Sequence, residues 1–185
     1  YGGEDLLFGE EPSGFLRDHL PLLPRGKALE LAMGEGRNAL YLAAQGYQVT
    51  GIDISYQAVA KCLHRARAQG LKVRGIVADL ECFPIQVGEY DLIVNFYYLQ
   101  RDLIPQIKAG LKPGGMVVFE TYTQDQTRYG HPLNPAYLLR PNELLDLFRD
   151  LRVLVYRERV VASERHPDRL KAIAQRYITR PRCPL

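Results

Sequence analysis

From Ala28 onward, short apolar runs bounded by glycine and polar residues alternate with stretches of helical period. Strands are predicted at Ala28–Met33, Gln48–Ile52, Val73–Ala78, Tyr90–Phe96, Met116–Thr121 and Leu151–Val161, the fifth following the turn "KPGG" at Lys112–Gly115. Between them, helices are predicted from Arg37 to Gln45, Tyr56 to Gln69, Leu103 to Leu111 and Pro141 to Phe148. Gly46 and Gly70 stand where a left-handed residue closes a helix, and Ser55 is a good N-cap for the second. Pro12–Leu23 reads as an amphipathic helix covering a sheet edge. Strands alternating with crossover helices imply an α/β fold, a doubly wound, mostly parallel sheet with helices on both faces. Ligands of such sheets bind beyond the carboxyl ends of the strands, near the switch point.

Composition narrows the class. The 185 residues suit one domain, and 46% hydrophobic with 24% charged residues is globular. No segment has the ~18 uninterrupted apolar residues of a membrane span, and the start shows no charged-then-apolar leader. The expectation is a cytoplasmic protein with no membrane partner. Cys62, Cys82 and Cys183 are odd in number and form no C-x-x-C pair, which argues for reduced thiols and against a disulfide framework or a zinc site. Residues 149–182 hold ten Lys/Arg against four Asp/Glu, leaving 14 against 17 elsewhere. No aromatic-interleaved basic motif accompanies this tail, so a solvated face is expected and nucleic acid is not.

Candidate chemistry begins at "LELAMGEGRN", Leu29 to Asn38, a strand that turns through two glycines into a helix. Such a turn presents backbone N–H groups to a ligand, and Gly34, Gly36 and Ala39 also spell G-x-G-x-x-A, a dinucleotide fingerprint. Asp53 ends the second strand 19 residues after Gly34, where a carboxylate can accept from a ribose diol. Either NAD or S-adenosylmethionine fits that much. Glu30, within the first strand, is an awkward acid for a buried parallel strand unless a cation or backbone group needs it. Asp79 follows the third strand in "VADLECFP", where it can accept from an exocyclic adenine amine with the Leu80 backbone alongside. There is no Tyr-x-x-x-Lys pair and no second domain for a hydride acceptor, which weakens the dehydrogenase reading.

The ordered segments "ALELAMGEGRNALYLAAQGYQVTGIDIS", "VADLECFP", "YDLIVNFYYL" and "LKPGGMVVFETY", from Lys27 to Tyr122, resemble the motifs of class I S-adenosylmethionine-dependent methyltransferases. "GEGRNALYLA", "NFYYL" and "NPAYLLRPNELLDLF" look more narrowly like the tellurite-resistance-type group. The resemblance implies a seven-stranded Rossmann-like sheet in a single domain over 1–185, with an N-terminal cap segment at 1–26. It implies S-adenosyl-L-methionine as cofactor, with Glu30 and the Gly34–Gly36 turn at its methionine part, Asp53 at the ribose, Ile54 on an adenine face and Asp79 with Leu80 at the adenine edge. Asn95 would lie near the donor's amino group. Met33 departs from the small residue or cysteine common at its position.

Methyl transfer from a sulfonium mainly requires alignment of an acceptor lone pair, with a general base optional. Candidates near the strand ends are Tyr97, Tyr98, Arg101, Glu120, Tyr122, Arg128 and His131, of which Tyr97, Arg128 and His131 are the catalytic choices. The polar segment 124–140 reads as a lid or substrate loop. Arg101, Arg128 and His131 would form a cationic rim that favours a small, anionic or soft-nucleophile acceptor. Two other readings stay open: a cofactor-binding sensor or interaction module without turnover, and an NAD-dependent oxidoreductase.

Overall fold

A computed structural model describes residues 9–162 and 170–179 of the chain. Five strands run parallel: β1 (Lys27–Leu31), β2 (Gln48–Asp53), β3 (Val73–Val77), β4 (Tyr90–Phe96) and β5 (Leu111–Tyr122), in the order β3-β2-β1-β4-β5. Two more, β6 (Arg152–Ala162) and β7 (Leu170–Thr179), continue the sheet beyond β5 as an antiparallel pair in the order β5-β7-β6. The expected mostly parallel sheet is therefore a parallel five-strand core with an antiparallel extension. β7 lies inside the stretch read from sequence as a basic tail. Its segment "LKAIAQRYIT" mixes small, charged and apolar residues without the alternation that marks a strand. Residues 163–169 and 180–182 of that tail, and Cys183 beyond it, lie outside the described residues.

Helices α1 (Gly14–His19), α2 (Arg37–Ala44) and α3 (Tyr56–Ala68) cover one face; α4 (Ile104–Gly110) and α5 (Glu143–Leu147) cover the other. Strand alternation sorts the core accordingly. Leu29 and Leu31 of β1, Ile93 of β4 and Val117 and Phe119 of β5 pack toward Ile104, Ile107, Leu144 and Phe148. Ala28, Leu92, Val94 and Val118 pack toward Phe15, Leu16, Leu40, Val59 and Cys62. Each fully buried Leu, Ile, Val or Phe side chain among these contributes roughly 1.5–3 kcal/mol. Parity then puts Glu30 and Glu120 on the α1–α3 side and Asn95 on the α4–α5 side. The helix expected over Pro12–Leu23 is shorter than its pattern, because Pro21 hands it over to a 3₁₀ turn at Leu20–Leu22. No helix among the described residues is long and apolar enough to cross a membrane.

The expected lid segment 124–140 is anchored from below. Gln126, Leu138 and Leu139 are buried, and Thr123 bridges to Leu139. Arg101 holds it: Nη1 and Nη2 donate to the carbonyls of Ala136 and Leu138 at 2.8 and 2.9 Å, while Nε and Nη2 grip the buried Glu143 carboxylate at 2.7 and 3.0 Å. This fork explains why Arg101 is not part of a cationic rim: its donors are spent on the fold. The Arg101 hydrogen bonds hold the Glu143 carboxyl down at about 2 against the cost of burial, with help from the Arg140 amide.

A folded-state value below the unfolded one means that this pair stabilises the protein above about pH 4.5, and that the gain is lost as pH falls toward 2. Glu143→Gln is expected to cost on the order of 2–3 kcal/mol at pH 7. The gap between variant and wild type should close between pH 4.5 and 2 in denaturant titrations. A pH-independent gap would assign the loss to packing.

Candidate functional site

A cavity of about 450 Å³ opens at the carboxyl ends of β1 to β4, within the range of small-molecule sites. Its wall starts with the turn off β1, where Ala32, Gly34 and Gly36 have φ of 50°, 55° and 77°. For Ala32 the left-handed conformation costs roughly 1–2 kcal/mol, and the surroundings must hold it. They do so through Met33, whose N–H donates to the Ile52 carbonyl and whose carbonyl accepts from Gly36. Met33 is buried directly over Gly51, where an added Cβ would stand 2.0 Å from its Sδ. The larger residue at position 33 is thus accommodated by the absence of a side chain on the neighbouring strand. Gly36 is packed as closely, since its Cβ would fall 2.2 Å from Sγ of Cys62. Burial pushes that thiol up to about 12, so it is an inert packing group.

Two carboxylates organise the wall. Asp53, 6% exposed, accepts from Gly34 N–H at 2.7 Å and from Ser55 N–H at 2.8 Å, so it holds the glycine turn as well as facing the cavity. Glu30, 2% exposed, accepts from Asn38 Nδ2 at 3.0 Å through Oε1, while its Oε2 has no hydrogen-bond partner. Burial raises the Glu30 carboxyl to about 7, opposed by the Asn38 hydrogen bond and the positive charge of Arg37. A buried carboxylate with one oxygen unused is a place for a cation or donor from outside the chain.

Further round, Ile54 is 69% exposed on the rim, Leu80 is buried in the wall, and Asp79 ties its Oδ1 to the Glu81 amide at 2.9 Å. The cavity thus collects Glu30, Gly34, Gly36, Asp53, Ile54, Asp79, Leu80, Tyr97 and Tyr98 of the expected residues. Asn95 is not in its lining. Strand alternation turns it to the other face, where its amide donates to the Tyr98 carbonyl at 2.7 Å and buttresses the loop after β4. Arg128 and His131 also stand outside the lining: Arg128 is an exposed side chain 3.6 Å from Asp125, and His131 is exposed with its carbonyl accepting from Gln126.

Arg37 and Asn38, both in the lining, are not among the residues expected from sequence. A signal was present for Arg37, because a cation in the first turn of a helix opposes the helix dipole and asks for another reason to be there. Its guanidinium lies 5.8 Å from the Tyr97 ring centroid.

Gly36→Ala is expected to cost about 2–4 kcal/mol, combining left-handed strain with overpacking. Adding Cys62→Ala should recover only the overpacking part in thermal denaturation. Complete recovery would show that φ at position 36 is unimportant.

A family model described as a methyltransferase domain matches residues 28–115. Among curated relatives, hemagglutinin 1 of Eikenella corrodens is 28% identical over 171 residues, 89% of this chain and 56% of its own length. The probable S-adenosyl-L-methionine-dependent methyltransferase TehB of Haemophilus influenzae is 27% identical over 175 residues, 90% of this chain and 60% of its own. The chain therefore spans less than two thirds of these relatives. The crystal structure of TehB from Haemophilus influenzae superposes with a TM-score of 0.77 at 25% identity, covering 91% of this chain and 62% of that one. Residues 28–115 thus match a methyltransferase domain, and sheet order, the glycine turn with its carboxylates at successive strand ends, and these likenesses make the chain similar to S-adenosylmethionine-dependent methyltransferases, TehB among them.

Proposed function

We propose that this chain transfers a methyl group from S-adenosylmethionine to a small acceptor, in the cytoplasm. The observation that carries the reading is the unpartnered Oε2 of a buried Glu30 inside a cavity that also presents Asp53 and Asp79. An ammonium at one end, vicinal hydroxyls in the middle and an aromatic amine at the other would satisfy these three carboxylates in turn. The residues therefore fit the cofactor: Glu30 and the Gly34–Gly36 turn would hold its amino-acid end, Asp53 the ribose, Ile54 and Leu80 the faces of the base, and Asp79 its edge. When bound, the cofactor supplies an already electrophilic methyl carbon.

The chain's own work is alignment and exclusion of water. Tyr97, which with Tyr98 is an acceptor-side candidate in the lining, is assigned the acceptor wall. Arg37 replaces the expected rim of Arg101, Arg128 and His131 as the nearby positive charge. That favours a small anionic or soft nucleophile, in keeping with the tellurite-resistance-type resemblance.

Calorimetry with S-adenosylhomocysteine and with NAD tests the cofactor, and a panel of selenite, tellurite, small thiols and RNA tests the acceptor. Binding without turnover of any acceptor would make the chain a cofactor-dependent binder, and preference for NAD would end the assignment. Glu30 adds a sharper check. A ligand ammonium beside it must lower its pKa from about 7, so binding releases a proton near pH 6 to 7 and none at pH 8.5, where the carboxylate is already formed. Glu30→Gln should abolish the buffer-dependent heat and weaken binding roughly 10- to 100-fold.

A further inference from the structure

Behind the cavity wall another buried acid remains unused by the proposed function. Glu120, on β5, is 1% exposed. Its Oε1 accepts from the Tyr97 hydroxyl at 2.9 Å and its Oε2 from the Ser13 hydroxyl at 3.1 Å. Ser13 N–H donates to Asn38 Oδ1 at 2.8 Å, and Asn38 donates to Glu30. A continuous buried chain of hydrogen bonds therefore runs Tyr97–Glu120–Ser13–Asn38–Glu30, entering the cavity wall at both ends.

Tyr97 is held in a conformation that a tyrosine rarely adopts, with φ 58°. Its N–H donates to the Glu120 carbonyl at 2.7 Å, so main chain and phenol are tied to the same residue. The Tyr122 ring, 5.1 Å away between centroids, and the Arg37 guanidinium flank it. If position 97 only had to turn the chain, glycine or asparagine would do so with less strain. If position 120 only had to fill the sheet, an apolar side chain would avoid the cost of burying an acid. Strain at one and burial at the other meet in a single result, a tyrosine ring held at a set angle in the wall.

We infer that Glu120 is a positioning residue for methyl transfer: it holds the Tyr97 ring at the acceptor side of the cavity and, through Ser13 and Asn38, ties that ring to the carboxylate that takes the cofactor's amino end. The inference rests on the proposed use of the cavity. Glu120 itself touches neither cofactor nor acceptor, and acts through Tyr97. Network members respond to one another's loss more than additively separated residues do.

The test uses 3-fluorotyrosine-labelled full chain, with the resonance missing in Tyr97→Phe assigned to Tyr97. Expected is a single sharp Tyr97 signal that shifts on saturation with S-adenosylhomocysteine, and that moves and broadens in Glu120→Gln. With whichever acceptor of the panel turns over, Glu120→Gln and Tyr97→Phe should each lower kcat roughly 10- to 100-fold with the cofactor Kd changed less than threefold, and the double variant should be no worse than either. Ser13→Ala, a gentler change that leaves the Tyr97 bond in place, should move the signal in the same direction by less, and it carries the test if Glu120→Gln does not fold. A Tyr97 signal identical to wild type in both Glu120→Gln and Ser13→Ala overturns the inference, as do additive losses in the double variant. Failure of the wild type to bind S-adenosylhomocysteine would instead overturn the proposed function, while the ligand-free Tyr97 signal would still report whether Glu120 holds the ring.

Discussion

The chain must leave β1, a strand with neighbours on both sides, and enter α2 within five residues, and it does so through positive φ at Ala32, Gly34 and Gly36. Everything at the cavity depends on keeping that turn in place. Asp53 holds Gly34 from the next strand, Met33 locks onto Gly51 and Ile52, and Gly36 sits against Cys62 of α3. Strain in the turn is offset by packing and hydrogen bonds from both neighbouring elements, and the same contacts set where the cavity wall stands.

Much of this was legible because strands convert sequence spacing into position. Glu30, Asp53 and Asp79 lie at or near the ends of three adjacent parallel strands, so recognising the strands was enough to bring the carboxylates together. Asn95 shows the limit of that logic: it was placed at the correct strand but on the wrong side, because a strand end read without its parity gives no facing direction. The acceptor side was less legible. Charge and loop proximity group Arg101, Arg128 and His131, yet Arg101 is committed to Glu143, 42 residues away, and no local pattern announces such a partner.

The link from Ser13 to Glu120 spans 107 residues and was equally hidden. A serine ahead of a short helix reads as an N-cap, yet here its hydroxyl makes no capping bond; its N–H serves buried Asn38 of α2 and its hydroxyl serves buried Glu120 of β5. Local propensity and tertiary demand compete for the same atoms, and the tertiary demand prevails where the alternative is an unsatisfied acid in the core. β7 eluded pattern reading for a related reason, since its place between two strands follows from pairing with both and not from its own composition.

That placement dictates an order of assembly on the ribosome. Among the described strands, β6 reaches the sheet only through β7, which is made after it, so a nascent chain that has emitted β6 has nowhere on the sheet to put it. Over the same interval β5 presents an open edge of backbone N–H and C=O groups along Met116–Tyr122, the stretch that carries Glu120. β7 therefore joins β6 to the sheet, and until it emerges the growing chain carries both an unpaired edge and an unpaired strand, the combination that chaperones commonly shield.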